Sequence, residues 1–497
     1  MTQTSLRKSR RERAARYLAV AFLLPLVVSP ELRAEAPAAG LLPHSCRLEG
    51  VAELARCFEL PVPENPAAPG GRQIPLQVAV LGASEGAATE PPLFVLAGGP
   101  GQNARSLAPY VLRFFDKGRR SRDLVLVDLR GTGGSNGLDC DLGDPLERQT
   151  GLLSEAEVDA CVAELGQKAD LRFYSTYHAM NDLERVRQAL GAEQIDLWGG
   201  SYGTRAAMVY QKLFPEHTHA VVLDGVAPYE LTLPAFYARE GQRALDLLFA
   251  RCGADPACHA LLPNPKKTLD SLLTRLAAVP AEVHMAHPRT GAPIHFFVTH
   301  DFLTGTLRTL LYAAEGAAYL PFLLARAEQG DYLPLATVLL TTSENMNETM
   351  YFGFTFSVLC SEDLPFVDRA EAERSSRDTF LGTADLDAWS RVCARWPRTE
   401  LPKNFARIPP STVPTLLLSG EIDPVVPPVW GEIALKSFSR GRHLVVPATA
   451  HNTSHVGCTG RLIERFLENG TAADLDADCL ASLAAPPFFT SLAGPEP

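Results

Sequence analysis

At 497 residues the chain is more than three times an ordinary domain of about 150, which calls for several domains or one large core carrying an insertion. Its 46 Lys and Arg against 57 Asp and Glu leave a formal charge of −11, which argues against nucleic acid as the main partner, because phosphate binding needs a net or clustered basic surface. A hydrophobic content of 46% with 21% charged residues excludes a largely disordered chain, the 37 Gly and 39 Pro imply many tight turns, and no collagen-like, heptad or longer repeat is visible.

At the N-terminus Lys8, Arg10, Arg11, Arg13 and Arg16 precede the apolar stretch Tyr17 to Val28, and small residues follow around Ala34, Glu35 and Ala36. That charged, apolar, cleavable order predicts a secretory signal over 1–36 and export to a periplasmic or extracellular compartment. The apolar run contains Pro25 and is short for a bilayer span, so removal is expected rather than anchoring. Ser9-Arg10-Arg11 is similar to a twin-arginine signal, and the general secretion route is equally open. No later stretch approaches about eighteen uncharged apolar residues, so no stable membrane insertion is expected after cleavage.

All ten cysteines lie beyond that signal: Cys46, Cys57, Cys140, Cys161, Cys252, Cys258, Cys360, Cys393, Cys458 and Cys479. An oxidising compartment lets buried thiols pair, and the even number falls into couples close in sequence. Neighbour pairing is the simplest connectivity, although spacing alone does not fix it. None forms a C-x-x-C, which argues against a zinc ribbon or a thioredoxin-type centre.

From about Ile74 strand-like and helix-like segments alternate. Leu93 to Leu96 is an apolar run ending in Gly98-Gly99-Pro100-Gly101; Leu124 to Asp128 is a second, ending at Arg130-Gly131-Thr132-Gly133-Gly134. A third, Ile195 to Trp198, leads into a helical segment from Ser201 to Phe214, and Ala220 to Asp224 is a fourth. Fully apolar strands interleaved with helices belong to a parallel sheet covered on both faces. The rhythm stops after Gly225, and from about Pro228 to Pro410 the sequence reads as helices and irregular segments, with a hairpin around His287-Pro288-Arg289-Thr290-Gly291. It resumes with Thr415 to Leu418 and Leu444 to Val446. The expected organisation is a signal over 1–36, an α/β core over 37–227, a mainly helical lid over 228–410 that limits access to a site, and the rest of the core over 411–497.

Gly199-Gly200-Ser201-Tyr202-Gly203 sits between an apolar strand and a helix. In that context G-x-S-x-G is a nucleophile elbow, whose small residues permit a strained turn that lifts the Ser hydroxyl above the sheet. A serine hydroxyl is a weak nucleophile alone, so an acid and a histidine are required downstream, each on a loop after a later strand. Asp423, after the strand Thr415 to Leu418, is the candidate acid, ahead of Glu421. His451, after Leu444 to Val446, is the candidate base, ahead of His455. The developing oxyanion needs backbone donors, and the amides of Tyr202 and Gly99 are the candidates.

The glycine loop 98–101, the turn Asp128-Leu129-Arg130-Gly131-Thr132-Gly133-Gly134-Ser135, the run Gly199 to Arg205 and the Asp423 and His451 segments together resemble the secreted α/β-hydrolases of the prolyl and tripeptidyl aminopeptidase family. The resemblance covers most of the chain after the signal, including the region around Cys458, which is similar to the tripeptidyl-aminopeptidase-like C-terminal domain, and is weakest through the insertion. It implies an α/β-hydrolase fold with a mostly parallel central sheet and a large, mainly helical lid, and a serine peptidase that releases single residues or short peptides from a free N-terminus. Two positions depart from the family pattern: Ala97 stands where a His usually precedes the glycines, and Ala450 where a Gly often precedes the catalytic His. An aminopeptidase must also recognise an α-ammonium, and the acidic segment after Cys360, which family members share, makes Glu362 and Asp363 the candidate substrate-binding pair.

Phosphate and metal chemistry find little support. Gly131-Thr132-Gly133-Gly134 lacks the lysine of a phosphate loop. His284, His287, His295 and His300 lack the helical i, i+4 pairing of a zinc protease, so surface roles are expected for them, no metal site is assigned and no cofactor is required. The same triad would serve an esterase or lipase-like hydrolase of small acyl substrates, and a catalytically silent α/β-hydrolase used as a binding module is the alternative from another class.

Overall fold

The computed structural model describes residues 42–115, 117–140, 153–347 and 349–494; the expected signal over 1–36 lies outside them. Eleven strands are present among the described residues: β1 His44–Arg47, β2 Leu54–Pro63, β3 Gln73–Leu81, β4 Leu93–Leu96, β5 Leu124–Val127, β6 Ile195–Gly200, β7 Thr218–Asp224, β8 Ala281–Ala286, β9 Pro293–Val298, β10 Thr415–Gly420 and β11 Gly441–Val446. Nine form one sheet in the order β1-β2-β3-β5-β4-β6-β7-β10-β11, and β8 and β9 form a separate hairpin.

From β5 through β11 every neighbouring pair is parallel, whereas β1, β2 and β3 join antiparallel and β3 meets β5 antiparallel. The apolar runs are strands because both of their faces are covered. Phe94, Leu96, Val125, Val127, Leu197, Val221, Leu223 and Leu417 enter one hydrophobic core. Their sequence neighbours Leu93, Val95, Leu124, Leu126, Trp198, Ala220, Val222, Leu416 and Leu418 enter the opposite one. A period of two with apolar residues at both phases is what a central strand needs. The first face is closed by the helices Thr176–Ala189 and Tyr202–Leu213, through residues such as Leu183, Val186, Ala206 and Met208. The second is closed by Ala108–Phe115 and Thr459–Asn469, through Val111, Phe115, Ile463 and Phe466.

The segment between β7 and β10 divides between two cores rather than forming one roof. The helices Tyr237–Ala254, Pro265–Ala278, His300–Leu311 and Ala314–Glu328 build an apolar core of their own with Val283, Phe296 and Val298 of the hairpin. The C-terminal stretch returns to that core with Phe488, while Phe489 stacks on Tyr319 at 3.9 Å. The helices Phe352–Glu362 and Ala384–Arg395 instead bury Phe354, Phe356, Val392 and Cys393 in the first core of the large sheet. Among the described residues no helix is long and apolar enough to cross a membrane.

All ten cysteines pair, each with its neighbour in sequence: 46 with 57, 140 with 161, 252 with 258, 360 with 393 and 458 with 479. The Cys360–Cys393 bond joins the two insertion helices that pack on the sheet. Replacing both cysteines by Ala is expected to lower unfolding free energy by about 2–4 kcal/mol, read from urea melts of the oxidised protein.

Candidate active site

The C-terminal ends of the parallel strands meet at one edge of the sheet, where ligands bind in open α/β folds. Ser201 follows β6 directly and has φ 56° and ψ −122°, a backbone state that costs a non-glycine residue on the order of 1–3 kcal/mol. The sequence tolerates it because the turn has no room for side chains. A Cβ on Gly203 would lie 2.1 Å from the Leu96 carbonyl oxygen, and one on Gly199 2.3 Å from the Gly203 oxygen. Ser201 N–H donates to the Asp224 carbonyl at 2.8 Å, while the Ser201 carbonyl accepts from Thr204 N–H and Oγ1. Although Ser201 stands at the N-cap of the helix Tyr202–Leu213, its side chain makes no capping bond, so the hydroxyl is not committed to the helix.

Asp423, after β10, is fully buried. Its Oδ1 accepts the amides of Val425 and Val426 at 2.8 and 2.9 Å, and its Oδ2 lies 2.8 Å from His451 Nδ1. An ionised carboxylate only accepts, so Nδ1 carries the proton and Nε2 is left as the basic nitrogen. His451 N–H donates to the Tyr312 carbonyl, and the Tyr312 ring stands edge-on to the imidazole at 5.2 Å. A Cβ on Gly225 would touch His451 Cε1 at 3.2 Å, so the imidazole packs against the residue after Asp224, whose carbonyl holds Ser201. The rival groups are elsewhere: Glu421 accepts from Ala448 N–H, and His455 Nδ1 meets Tyr110 Oη.

The glycine loop reaches the same place. A Cβ on Gly98 would lie 3.3 Å from Ser201 Cβ, and Gly99 has φ 105°. The insertion pins this loop. Asn103 N–H donates to Thr349, Tyr351 N–H donates to Gly101, Thr355 Oγ1 donates to Pro100 at 2.5 Å, and Met350 Cε would stand 3.0 Å from a Cβ on Gly99.

Glu362 and Asp363, the candidate substrate-binding pair, stand at the end of the helix Phe352–Glu362. At 1% and 0% exposure they face the interior rather than an open pocket. Asp363 accepts twice from Arg205 Nη1 at 2.7 Å and once from Leu233 N–H, tying the helix behind Ser201 to the start of the insertion. Burial opposes the Arg205 charge, but Asp363 outweighs it and holds the guanidinium above its ordinary value. Glu362 accepts from Thr176 N–H at 2.6 Å and Thr176 Oγ1 at 2.7 Å, and that hydroxyl lies 2.6 Å from Tyr202 Oη. An Asp-Glu pair after a disulfide cysteine reads as an acidic turn only when its burial is unknown; Phe354, Phe356 and Val358 just upstream show the segment to be a core helix.

The sequence reading took Asp224 only as a strand end. Its buried carboxylate accepts from the amides and hydroxyls of both Thr453 and Ser454, two and three residues after His451, at 2.6 to 3.0 Å. Ser454 Oγ also accepts from Trp198 Nε1 of β6. Burial pulls the His451 pKa down; Asp423, by its charge and hydrogen bond, and then the charge of Asp224 outweigh it, so the imidazole titrates above its ordinary 6.5.

Two outcomes follow from this electrostatic arrangement. The acid limb of kcat/KM should lie above pH 6.5, and Asp224→Asn should move it to lower pH while reducing kcat by about 10–100-fold through loss of His451 placement, read from full pH–rate profiles. Burial pushes Glu362 up to about 7 from 4.5, so between those values the folded chain binds more protons than the unfolded one and stability falls as pH rises. Glu362→Gln should remove that slope, gaining about 1–3 kcal/mol over wild type at pH 8 relative to pH 5 in urea melts.

Comparison with known proteins places the two halves of this architecture. A model of the alpha/beta hydrolase fold matches residues 91–251, and a model described as TAP-like protein matches residues 381–479. Serine protease Hip1 of Mycobacterium tuberculosis is 27% identical over 431 residues, covering 78% of this chain and 80% of the relative. Tripeptidyl aminopeptidase of Streptomyces lividans is 24% identical over 466 residues, 85% of this chain and 83% of its own. A probable proline iminopeptidase of Streptomyces coelicolor is 32% identical over 136 residues, 27% of this chain and 33% of the relative. The first model contains Ser201, the second Asp423 and His451, and the sheet joins the two: this chain has the alpha/beta hydrolase fold, with a C-terminal region that matches the TAP-like model.

Proposed function

We propose that this protein is a serine peptidase that releases single residues or short peptides from free N-termini through an acyl-enzyme. The observation that carries the reading is the Asp423–His451 hydrogen bond packed on Gly225, beside the carbonyl that holds Ser201. His451 Nε2 takes the Ser201 proton as Oγ attacks the scissile carbonyl, and Asp423 keeps the imidazole in the required tautomer. The amides of Tyr202 and Gly99 receive the oxyanion. His451 then protonates the leaving amine, and water attacks the acyl-enzyme with His451 again as base. Hip1 and the tripeptidyl aminopeptidase, similar along most of their length, support peptides as the substrate class. Export is inferred from five disulfides together with the basic, apolar and small-residue order of 1–36.

A panel of fluorogenic aminoacyl, dipeptidyl and tripeptidyl amides, each free and N-acetylated, tests the reading. Turnover of the free series only, reduced at least about 10⁴-fold in Ser201→Ala, is the expected result. Turnover of p-nitrophenyl esters alone would make the protein an esterase, and no turnover with no fluorophosphonate labelling of Ser201 would make it a binding module.

A further inference from the structure

The β8–β9 hairpin, part of the insertion, has two unlike faces. Val283, Phe296 and Val298 point into the insertion core, which fixes the backbone of both strands. Strand alternation turns Glu282, His284 and His295 to solvent. Antiparallel pairing sets His284 directly opposite His295, and Glu282 lies two residues along the same face. The imidazoles stack with centroids 4.6 Å apart and planes 28° apart. Their Nε2 atoms converge on a single carboxylate oxygen, Glu282 Oε1, at 3.2 Å from His284 and 2.7 Å from His295. One ligand atom from each of the three residues lies within 4.8 Å of the others.

Two imidazole nitrogens and a carboxylate oxygen at this spacing are a donor set for a small divalent ion. Tetrahedral zinc, with bonds of about 2.0–2.2 Å, asks for ligand atoms about 3.3–3.6 Å apart, a spacing that falls inside the 4.8 Å within which these three already lie. A bound ion would replace the N–H donors now directed at Glu282. We propose that Glu282, His284 and His295 form a surface site for a zinc-class transition-metal ion, with water completing the coordination. Imidazole donors select such ions over magnesium or calcium, which prefer oxygen. The sequence hid this site because its histidines meet across a hairpin rather than along a helix.

The test is calorimetric titration of the full chain, stripped with chelator, with zinc chloride and separately with magnesium chloride in a non-coordinating buffer. One zinc per chain with micromolar affinity is expected, with no magnesium uptake. His284→Ala and His295→Ala should each weaken zinc at least about 10–100-fold, and Glu282→Gln about tenfold. Far-UV circular dichroism and hydrolytic turnover should match wild type in all three, since the buried face of the hairpin is untouched. Absence of saturable zinc uptake, or uptake of undiminished affinity in the His284→Ala/His295→Ala double variant, would overturn the proposal. Cobalt supplies an independent readout: visible bands of a low-symmetry site in the wild-type chain, lost in the double variant, are expected, and their persistence there counts against it.

Discussion

The end of β7 holds the candidate site together. Residue 224 uses its carbonyl to fix the Ser201 amide and its carboxylate to collect the amides and hydroxyls of Thr453 and Ser454, just beyond His451. A buried carboxylate is costly unless its lone pairs are filled. This one is filled by the loop whose position the chemistry requires, so the cost of burying the charge is offset by contacts that also locate the base. Gly225 then brings the backbone close enough for His451 to rest on it, and any side chain there would press on the imidazole.

The insertion is part of the same machinery rather than a separate roof. Residues 349–355 hydrogen-bond to the glycine loop, and the next turns of that helix deliver Asp363 to Arg205 and Glu362 to Thr176. Arg205 lies four residues after Ser201, and Thr176 touches Tyr202, the candidate oxyanion donor. A shift of this helix would therefore reach both the nucleophile turn and the loop opposite it. The carbonyl of Tyr312, which follows the insertion helix His300–Leu311, accepts the amide of His451.

The parallel strands were legible because burial on both faces demands unbroken apolar runs, and the elbow because only small residues fit beside Ser201. β1 and β2 escaped notice: Leu54–Pro63 interleaves Arg56, Glu59, Pro61 and Pro63 with its buried residues, as a strand near the sheet edge can. Asp224 was hidden because a strand-terminal acid looks the same whether it meets solvent or a distant loop. The burial of Glu362 and Asp363 was not legible because their partners, Thr176 and Arg205, lie more than 150 residues away. Local sequence reports which surfaces must be covered; it does not report which polar groups will meet there.

The buried carboxylates around the site differ in the donors that reach them. Asp363 has a guanidinium and an amide; Asp423 has two amides and the imidazole; Asp224 has two amides and two hydroxyls. Glu362 has only the amide and hydroxyl of Thr176, and burial pushes it up to about 7. Thr176 Oγ1 thus joins Glu362 to Tyr202 Oη, one residue from the nucleophile, while the donors at Asp224 and Asp423 hold the opposite side of the site.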